Sequence, residues 1–371
     1  MSTHPRRLPQ MLLVGMSHNP GGTELFVMSV LRSLKNDFEI WVLATEDQIA
    51  FEKEIVDEGG TIAKVTSREK NPVRYLSELR ELFREQDFHV VWLNQSSLST
   101  IGPLLVGWQQ RVPLRLVHSH QSQNIGSALT AVLHNSKKPL VNRIGTHRLA
   151  CSDKAATWFF GDREYTFVPN AFPVERFTFS RDVRTQMREK LRLDESTLAV
   201  VHVASFLPYK NHGFTLEILQ ELVDLNGDVR LLYCGDGPGR VEMETLARER
   251  ELSGHTQFLG VRSDVDRILQ AADVSILPSI SEGLPYTALE AQAAQLPTLL
   301  SDAVSEQTAV TEYASFIPLD SGAVQWADQI IRSSAGSLRV DGANPLRDGP
   351  FDLMTFRATL LEVVHADGRH R

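Results

Sequence analysis

The sequence predicts an α/β fold built as two doubly wound parallel sheets. Three observations carry that prediction. Short apolar runs rich in β-branched residues alternate from end to end with segments of helical period, and such alternation builds parallel sheets covered on both faces. The pattern restarts after VPNAFPVERF, which holds two prolines and precedes a charged helical stretch, Arg181 to Arg192. The length, 371 residues, exceeds one ordinary core and suits two.

In chain order, MLLVG, FEIWVLAT, TIAKVT, HVVWLN, LRLVHSH, HRLACS and YTFVPN read as strands of the first domain. TLAVVHVAS, VRLLYCG, TQFLG, VSILPS, PTLLSD and SFIPL read as strands of the second. Between them, Glu24 to Leu34 and Val73 to Glu85 place apolar residues at helical spacing. Residues 1–172 form the first domain and 173–350 the second. A last helix, roughly Asp352 to Ala366, follows the Gly/Pro-rich SAGSLRVDGANPLRDGP. Its segment, 351–371, can cross back to the first domain. Doubly wound sheets bind ligands beyond the carboxyl ends of their strands, so two such domains facing each other enclose a central cleft.

Composition narrows the class. A hydrophobic fraction of 42% with 23% charged residues is ordinary for a soluble globular enzyme. No apolar run approaches the roughly 18 residues of a membrane span. The apolar run after MSTHPRRLPQ is too short for a signal peptide and reads as a first strand. Cys151 and Cys234 lie far apart in apolar settings, as reduced core thiols of a cytoplasmic protein do. The net charge is −8, with the acidic excess in the second half, yet Phe88 to Ser152 contains no Asp or Glu. That stretch carries Arg111, Arg115, Lys137, Lys138, Arg143 and Arg148. Gathered on one face they attract phosphates or an anionic membrane surface; scattered over several helices they are ordinary solvated charges. No nucleic-acid partner is expected.

Four motifs bear on chemistry. In GMSHNPGGTELFVMSVL, Gly21 and Gly22 open an amphipathic helix whose N-terminal amides and dipole suit a phosphate. A plain strand-to-helix turn explains them equally, and the dinucleotide spacing G-x-G-x-x-G is missing. The glycines of YCGDGPGR shape a tight turn into the helix from Arg240. In RSDVDRIL, Asp264-Val265-Asp266 has the D-x-D spacing of a metal pair but reads as a helix cap at Ser263 or Asp264.

The most informative segment is LPSISEGLPYTALEAQAAQLP. A buried-looking strand delivers Ser279 to Gly283 onto a helix expected to start with Pro285 at its first position. Glu282 and Glu290 lie eight residues apart, about 12 Å if fully helical. The acid–nucleophile pair of a retaining glycosidase needs ~5–5.5 Å. The two suit a clamp on both ends of an extended ligand, with the helix N-terminus between them favouring a diphosphate. The bland reading is a helix-leading acid and a surface acid, against which stand the apolar neighbours Leu289, Ala291, Ala293 and Ala294.

This segment resembles the Glu-x7-Glu motif of glycosyltransferase family 4, whose fold is GT-B. GGTE, VPNAF, KNHGF, CGDGPGR, FLGVRSDVDRILQAADVSILPSISEGLP and EAQAAQLP agree with that family in the same order. The match covers nearly all of the second half and, more thinly, the first, and looks closest to bacterial exopolysaccharide and capsule enzymes. The resemblance implies a retaining, metal-independent hexosyltransferase moving a sugar from a nucleotide-sugar donor, a UDP-sugar, to a polysaccharide or lipid-linked precursor. Glu282 would meet the donor sugar hydroxyls and Glu290 the ribose. Gly283, Leu284, Pro285 and Tyr286 would lie beside the sugar and diphosphate. Lys210 would bind the diphosphate, Gly22 would let the backbone approach it, and Val261 and Arg262 would border the base. His118 matches the family's cleft histidine, with His120 a competing register. No metal or other cofactor is implied. The acceptor would be a saccharide carried on polyprenyl diphosphate, reached by peripheral contact at the inner face of an anionic membrane.

One departure stands out. The family commonly has Gly-Arg five residues before the lysine, where this chain has Ala204-Ser205. A serine cannot brace a diphosphate bidentately as a guanidinium does. Two rival readings stay open: a GT-B-fold UDP-sugar epimerase, and a catalytically idle nucleotide-sugar-binding protein.

Overall fold

The computed structural model describes residues 8–124, 126–336 and 339–365. They form two compact units: residues 1–172 with 350–371, and residues 173–349.

Unit 1 runs β1 (Gln10–Val14), α1 (Gly22–Leu34), β2 (Glu39–Ala44), α2 (Glu52–Asp57), β3 (Thr61–Lys64), α3 (Pro72–Glu85) and β4 (Phe88–Gln95). It continues with α4 (Gly102–Gln109), β5 (Leu114–Ser119), α5 (Ala128–Ile144), β6 (His147–Ala150), α6 (Asp153–Phe160) and β7 (Thr166–Phe167). The sheet is parallel throughout, in the order β3-β2-β1-β4-β5-β6-β7. The order reverses between β1 and β4, the switch point where doubly wound sheets open toward a ligand. Local chemistry starts the helices: Asn71, Ser127 and Ser152 accept the amides of Arg74, Thr130 and Ala155 at the first turns of α3, α5 and α6.

Unit 2 runs α7 (Arg181–Lys190), β8 (Leu198–Val203), α8 (His212–Asn226), β9 (Val229–Cys234), α9 (Arg240–Glu249), β10 (Thr256–Gly260) and α10 (Val265–Ala271). Then come β11 (Val274–Leu277), α11 (Tyr286–Ala293), β12 (Thr298–Ser301), β13 (Ala314–Ile317) and α12 (Gly322–Gly336). Its parallel sheet has the order β10-β9-β8-β11-β12-β13, reversing between β8 and β11. Leu198, Val200, Leu231, Val274, Ile276 and Leu299 from the strands meet Leu216, Leu219, Trp326 and Ile330 from the helices in its core.

The chain ends in unit 1. Phe172 and Phe351–Leu353 pair through Phe172 N–H to Phe351 O and Leu353 N–H to Phe172 O, each 3.0 Å. The last helix, α13 (Leu353–His365), then lays Phe356, Leu360, Val363 and Val364 into the core beside Phe26, Val30 and Leu34 of α1. Arg357 binds Asp37 through Nη2 at 2.8 and 2.9 Å. Cys151 and Cys234 are both buried free thiols.

Two local expectations are corrected. Pro285 is not the first helical residue but the cap before it, with ψ of 124°, so α11 starts at Tyr286. Glu282 to Pro285 is therefore loop, and the 12 Å helical span does not apply to it. Asp264 does occupy the cap position of α10, but its side chain makes no cap hydrogen bond. The carboxylate is turned to Arg262, at 2.7 Å from both Nε and Nη2, with Lys190 Nζ at 3.5 Å. A bidentate guanidinium out-competes a neutral amide for a carboxylate.

Candidate active site

In unit 2 two loops at the carboxyl edge of the sheet are stitched together. Ile280 N–H donates to Tyr209 O at 2.8 Å, and Asn211 Nδ2 to Pro278 O at 3.1 Å. Asn211 takes a left-handed φ of 61°, which asparagine tolerates, and turns the chain from the Pro208–Lys210 turn into α8. The stitching brings Lys210, 72 residues away in sequence, onto Glu282.

Lys210 Nζ donates to Glu282 Oε1 as a hydrogen-bonded ion pair, with side chains only 14% and 9% exposed. Ser279 Oγ donates to the same carboxylate oxygen at 3.0 Å. Burial pulls the Lys210 pKa down, but the Glu282 carboxylate, with Tyr209, outweighs it, and the pKa lies above the ordinary value. The ammonium also sits 5.3 Å from the centre of the Tyr209 ring. The cation is thus held beside the loop that leads into α11, where Gly283, Leu284, Pro285 and Tyr286 are all buried.

Glu290, on α11, retains some exposure, yet burial pushes its carboxyl up to about 7, with Arg176 opposing and Asp266 adding to the rise. Arg176 itself pairs with Asp266 at 3.2 Å. The linkage has a definite sign. The folded carboxyl holds its proton above the ordinary 4.5, so stability is greatest below that value and declines as pH rises through 7. The span corresponds to about 3 kcal/mol. Glu290→Gln should match wild type in urea unfolding near pH 4.5 and exceed it by about 2–3 kcal/mol at pH 8. A difference that does not grow with pH would contradict this assignment.

Beyond β10, Val261 is exposed and Arg262 is engaged by Asp264. The glycine loop after β9 has a specific task. Gly235 (φ +146°) and Gly237 (φ +152°) lie against the backbone of Ala204–Phe206. Phe206 N–H donates to Asp236 O at 3.0 Å, and Gly235 N–H to Gly260 O at 2.8 Å. Three loop backbones meet there at distances no side chain permits. Ser205 is exposed beside them.

In unit 1, Gly22 is the exposed first residue of α1. The amide of Gly21, offered by the sequence to a phosphate, is occupied: it donates to Glu24 Oε2 at 3.1 Å, and Ser17 Oγ donates to Glu24 Oε1 at 2.7 Å. The helix is capped by its own carboxylate. His118 has 0% exposure within β5, its ring 4.4 Å from Phe26 and 4.2 Å from His120. His120 lies just past the strand with some exposure, its Nε2 3.3 Å from Asn94 Oδ1. Burial holds His118 well below its usual pKa, with His120 adding and the Val168 backbone opposing; burial draws His120 down to about 3. Both are neutral near pH 7, and of the two only His120 keeps some exposure. An open polar cavity of about 810 Å³ lies at the carboxyl ends of β1–β3, lined by His18, Glu46, Asp47, Arg68 and Lys70 among others.

Ser279, Tyr209, Asn94, Glu24 and Arg176 were not singled out by pattern. Ser279 and Tyr209 adjoin motif residues and were within reach of a motif-based reading. Asn94 and Arg176 act across the fold and carry no local signal.

Two parallel doubly wound sheets, each reversing its strand order once, are the parts of a GT-B fold. Residues 183–332 match the family model described as glycosyl transferases group 1. The chain is 29% identical over 343 residues to EpsF of Bacillus subtilis, named a glycosyltransferase, spanning 87% of each chain. It is 30% identical over 139 residues to the UDP-Gal:alpha-D-GlcNAc-diphosphoundecaprenol alpha-1,3-galactosyltransferase of Escherichia coli, covering 36% of each. Among solved structures, Alr3699/HepE of Anabaena in complex with UDP and glucose matches with a TM-score of 0.80, at 17% identity, over 96% of this chain and 99% of that one. The protein is a glycosyltransferase carrying a group 1 domain in unit 2.

Proposed function

We propose that this chain is a retaining, metal-independent family 4 hexosyltransferase that moves a sugar from a UDP-sugar onto a lipid-linked saccharide during assembly of a surface polysaccharide. The observation that carries the reading is the buried Lys210–Glu282 pair at the start of α11. Lys210 offsets the charge that develops on the departing diphosphate. Glu282 holds donor sugar hydroxyls and Glu290 the ribose, while the Gly283–Tyr286 backbone lies along the diphosphate. Val261 and Arg262 border the base. Within unit 1 the candidates are Gly22 and, with His118 enclosed, His120. The polar cavity of unit 1, mixing carboxylates and cations, suits the many hydroxyls of an acceptor saccharide.

In the step, the acceptor hydroxyl forms a bond to the anomeric carbon on the face the nucleotide leaves. The bond from that carbon to the phosphate oxygen breaks, and that oxygen takes the hydroxyl proton. A glycoside and UDP result. Asp264 and Asp266 are each committed to an arginine, so the balancing charge comes from Lys210 and oriented amides, and no metal or other cofactor takes part. The undecaprenol-linked acceptor named for the E. coli relative supports a polyprenyl carrier here. The UDP bound by the Anabaena protein supports the donor nucleotide. Such an acceptor places the work in the cytoplasm at the inner face of the membrane. No helix among the described residues is long and apolar enough to cross one, so the contact is peripheral.

Incubation with UDP-sugars in excess EDTA tests the reading. Transfer or slow hydrolysis releasing UDP is expected, and Glu282→Ala should lower that release while leaving UDP affinity nearly intact. A new free epimer, or no turnover unless Mg²⁺ or Mn²⁺ is restored, would overturn it.

A further inference from the structure

Two cations of unit 1 stand together without a counter-charge. Arg68, in the loop after β3, donates from Nη1 to Ser99 O at 3.1 Å, and Lys137 Nζ, from α5, donates to the same oxygen. A carbonyl oxygen has two lone pairs and can serve both, but it brings no net charge to set between them. Like charges so close raise each other's energy. The Lys137 pKa accordingly lies below the ordinary lysine value, through burial first and then Arg68. Neither cation has a carboxylate partner among the described residues. The stretch from Phe88 to Ser152, which supplies Ser99 and Lys137, holds no Asp or Glu to provide one. Both side chains are half-buried, and each keeps donors in reserve, since a guanidinium has five N–H groups and an ammonium three. The pair lies at the edge of the polar cavity of unit 1. Arg68 lines that cavity, as do Tyr75 and Thr100, the residue after Ser99. Its volume, about 810 Å³, is within the range of small-ligand sites. The other charges around it are settled. Glu46 Oε2 meets His18 Nδ1 at 2.6 Å, Asp47 pairs with Lys70 at 3.2 Å, and Glu69 is exposed to solvent, which screens it.

We propose that this cavity binds a saccharide carrying an anionic group, a carboxylate or a phosphate, and that Arg68 and Lys137 take that group between them. The anion supplies the counter-charge that the fold leaves out, through charge-assisted hydrogen bonds from a planar fork on one side and an ammonium on the other. The hydroxyls of the sugar meet the paired polar groups that line the rest of the cavity. An acidic acceptor follows, resting on the reading of this cavity as the acceptor's. Binding is measured without transfer, so the acidic acceptor and the transferase reading can fail separately.

Ligand-observed NMR titration of the full chain, with UDP present to occupy the donor side, decides it. The probes are methyl glucuronide, glucose 6-phosphate, methyl glucoside and inorganic phosphate. At least one acidic sugar should bind at least about tenfold more tightly than methyl glucoside, the usual worth of a hydrogen bond to a charged group, and salt should reduce that advantage. Tighter binding of the glucuronide would assign a uronic acid unit, and tighter binding of glucose 6-phosphate a phosphate group. Arg68→Gln and Lys137→Gln should each remove most of the advantage while leaving methyl glucoside binding unchanged. Each variant leaves Ser99 O one of its two donors, so thermal melts should stay close to wild type and separate lost binding from lost folding. Equal affinity for the glucoside and both acidic sugars, or an advantage that survives both substitutions, would overturn the assignment. So would inorganic phosphate binding as tightly as glucose 6-phosphate, which would reduce the pair to a site for an adventitious ion only.

Discussion

Lys210→Ala is expected to lower kcat/KM for transfer by about a hundredfold or more, the usual cost of removing a charge aimed at a developing anion. The ammonium is fixed before any substrate arrives, held by Glu282 and the Tyr209 ring, so it need not reorganise when the phosphate bond breaks. The same variant also strands the Glu282 carboxylate, and breaking a buried ion pair costs about 3–5 kcal/mol of stability. Folding and chemistry must therefore be separated. Lys210→Met/Glu282→Gln removes both charges and should recover most of the melting temperature without recovering turnover. Steady-state kinetics below the unfolding transition, alongside thermal melts, gives both readouts. A Lys210→Ala protein with wild-type kcat/KM would end the assignment of Lys210 to the leaving group.

Gly235→Ala should be nearly as damaging, although the residue touches no proposed ligand. A Cβ there would stand 2.0 Å from Ala204 O and 2.8 Å from Ala204 C, at a φ of +146° that L-residues avoid. Both obstacles are backbone, so neither can rotate away. Strain at such a φ costs about 1–3 kcal/mol, and forced overpacking about as much again. Relief requires the Ala204–Phe206 strip to move, and that strip leads directly into Lys210. A loss of about 3–5 kcal/mol in urea unfolding is expected, with donor affinity falling at least about tenfold. Gly254→Ala is the control: nothing lies within 4 Å of its Cβ position, and its stability should barely change. If Gly235→Ala melts like Gly254→Ala, the close approach of these loops is not what the glycine serves.

The glycines illustrate how far pattern reached. YCGDGPGR read correctly as a turn into α9, because glycine and proline punctuate a chain locally. That Gly235 and Gly237 exist to let β8, β9 and β10 loops touch was not legible, since Ala204 and Gly260 are remote in sequence. The α1 start shows the reverse. GGTE announces a helix N-terminus with open amides, but only the folded chain shows Glu24 bending back to Gly21 N–H and holding Ser17 as well. The acid-free stretch was visible as a count. Which of its cations face outward was not, because Lys137, Lys138 and Arg148 are claimed by groups that only packing brings near.

By itself the sequence determined what local periodicity encodes, two parallel doubly wound sheets and the restart before the second domain, and its motifs offered Lys210, Glu282 and Glu290 as candidates. Each of those features is written locally, in turn residues, helix starts and apolar runs. Tertiary structure alone decided that Lys210 neutralises Glu282, that Glu290 holds its proton to about pH 7, and that His118 is enclosed while His120 is not. The physical reason is shared. Charge state and accessibility depend on what surrounds a group in three dimensions, and desolvation and cross-fold partners leave no trace in the residues adjoining it along the chain.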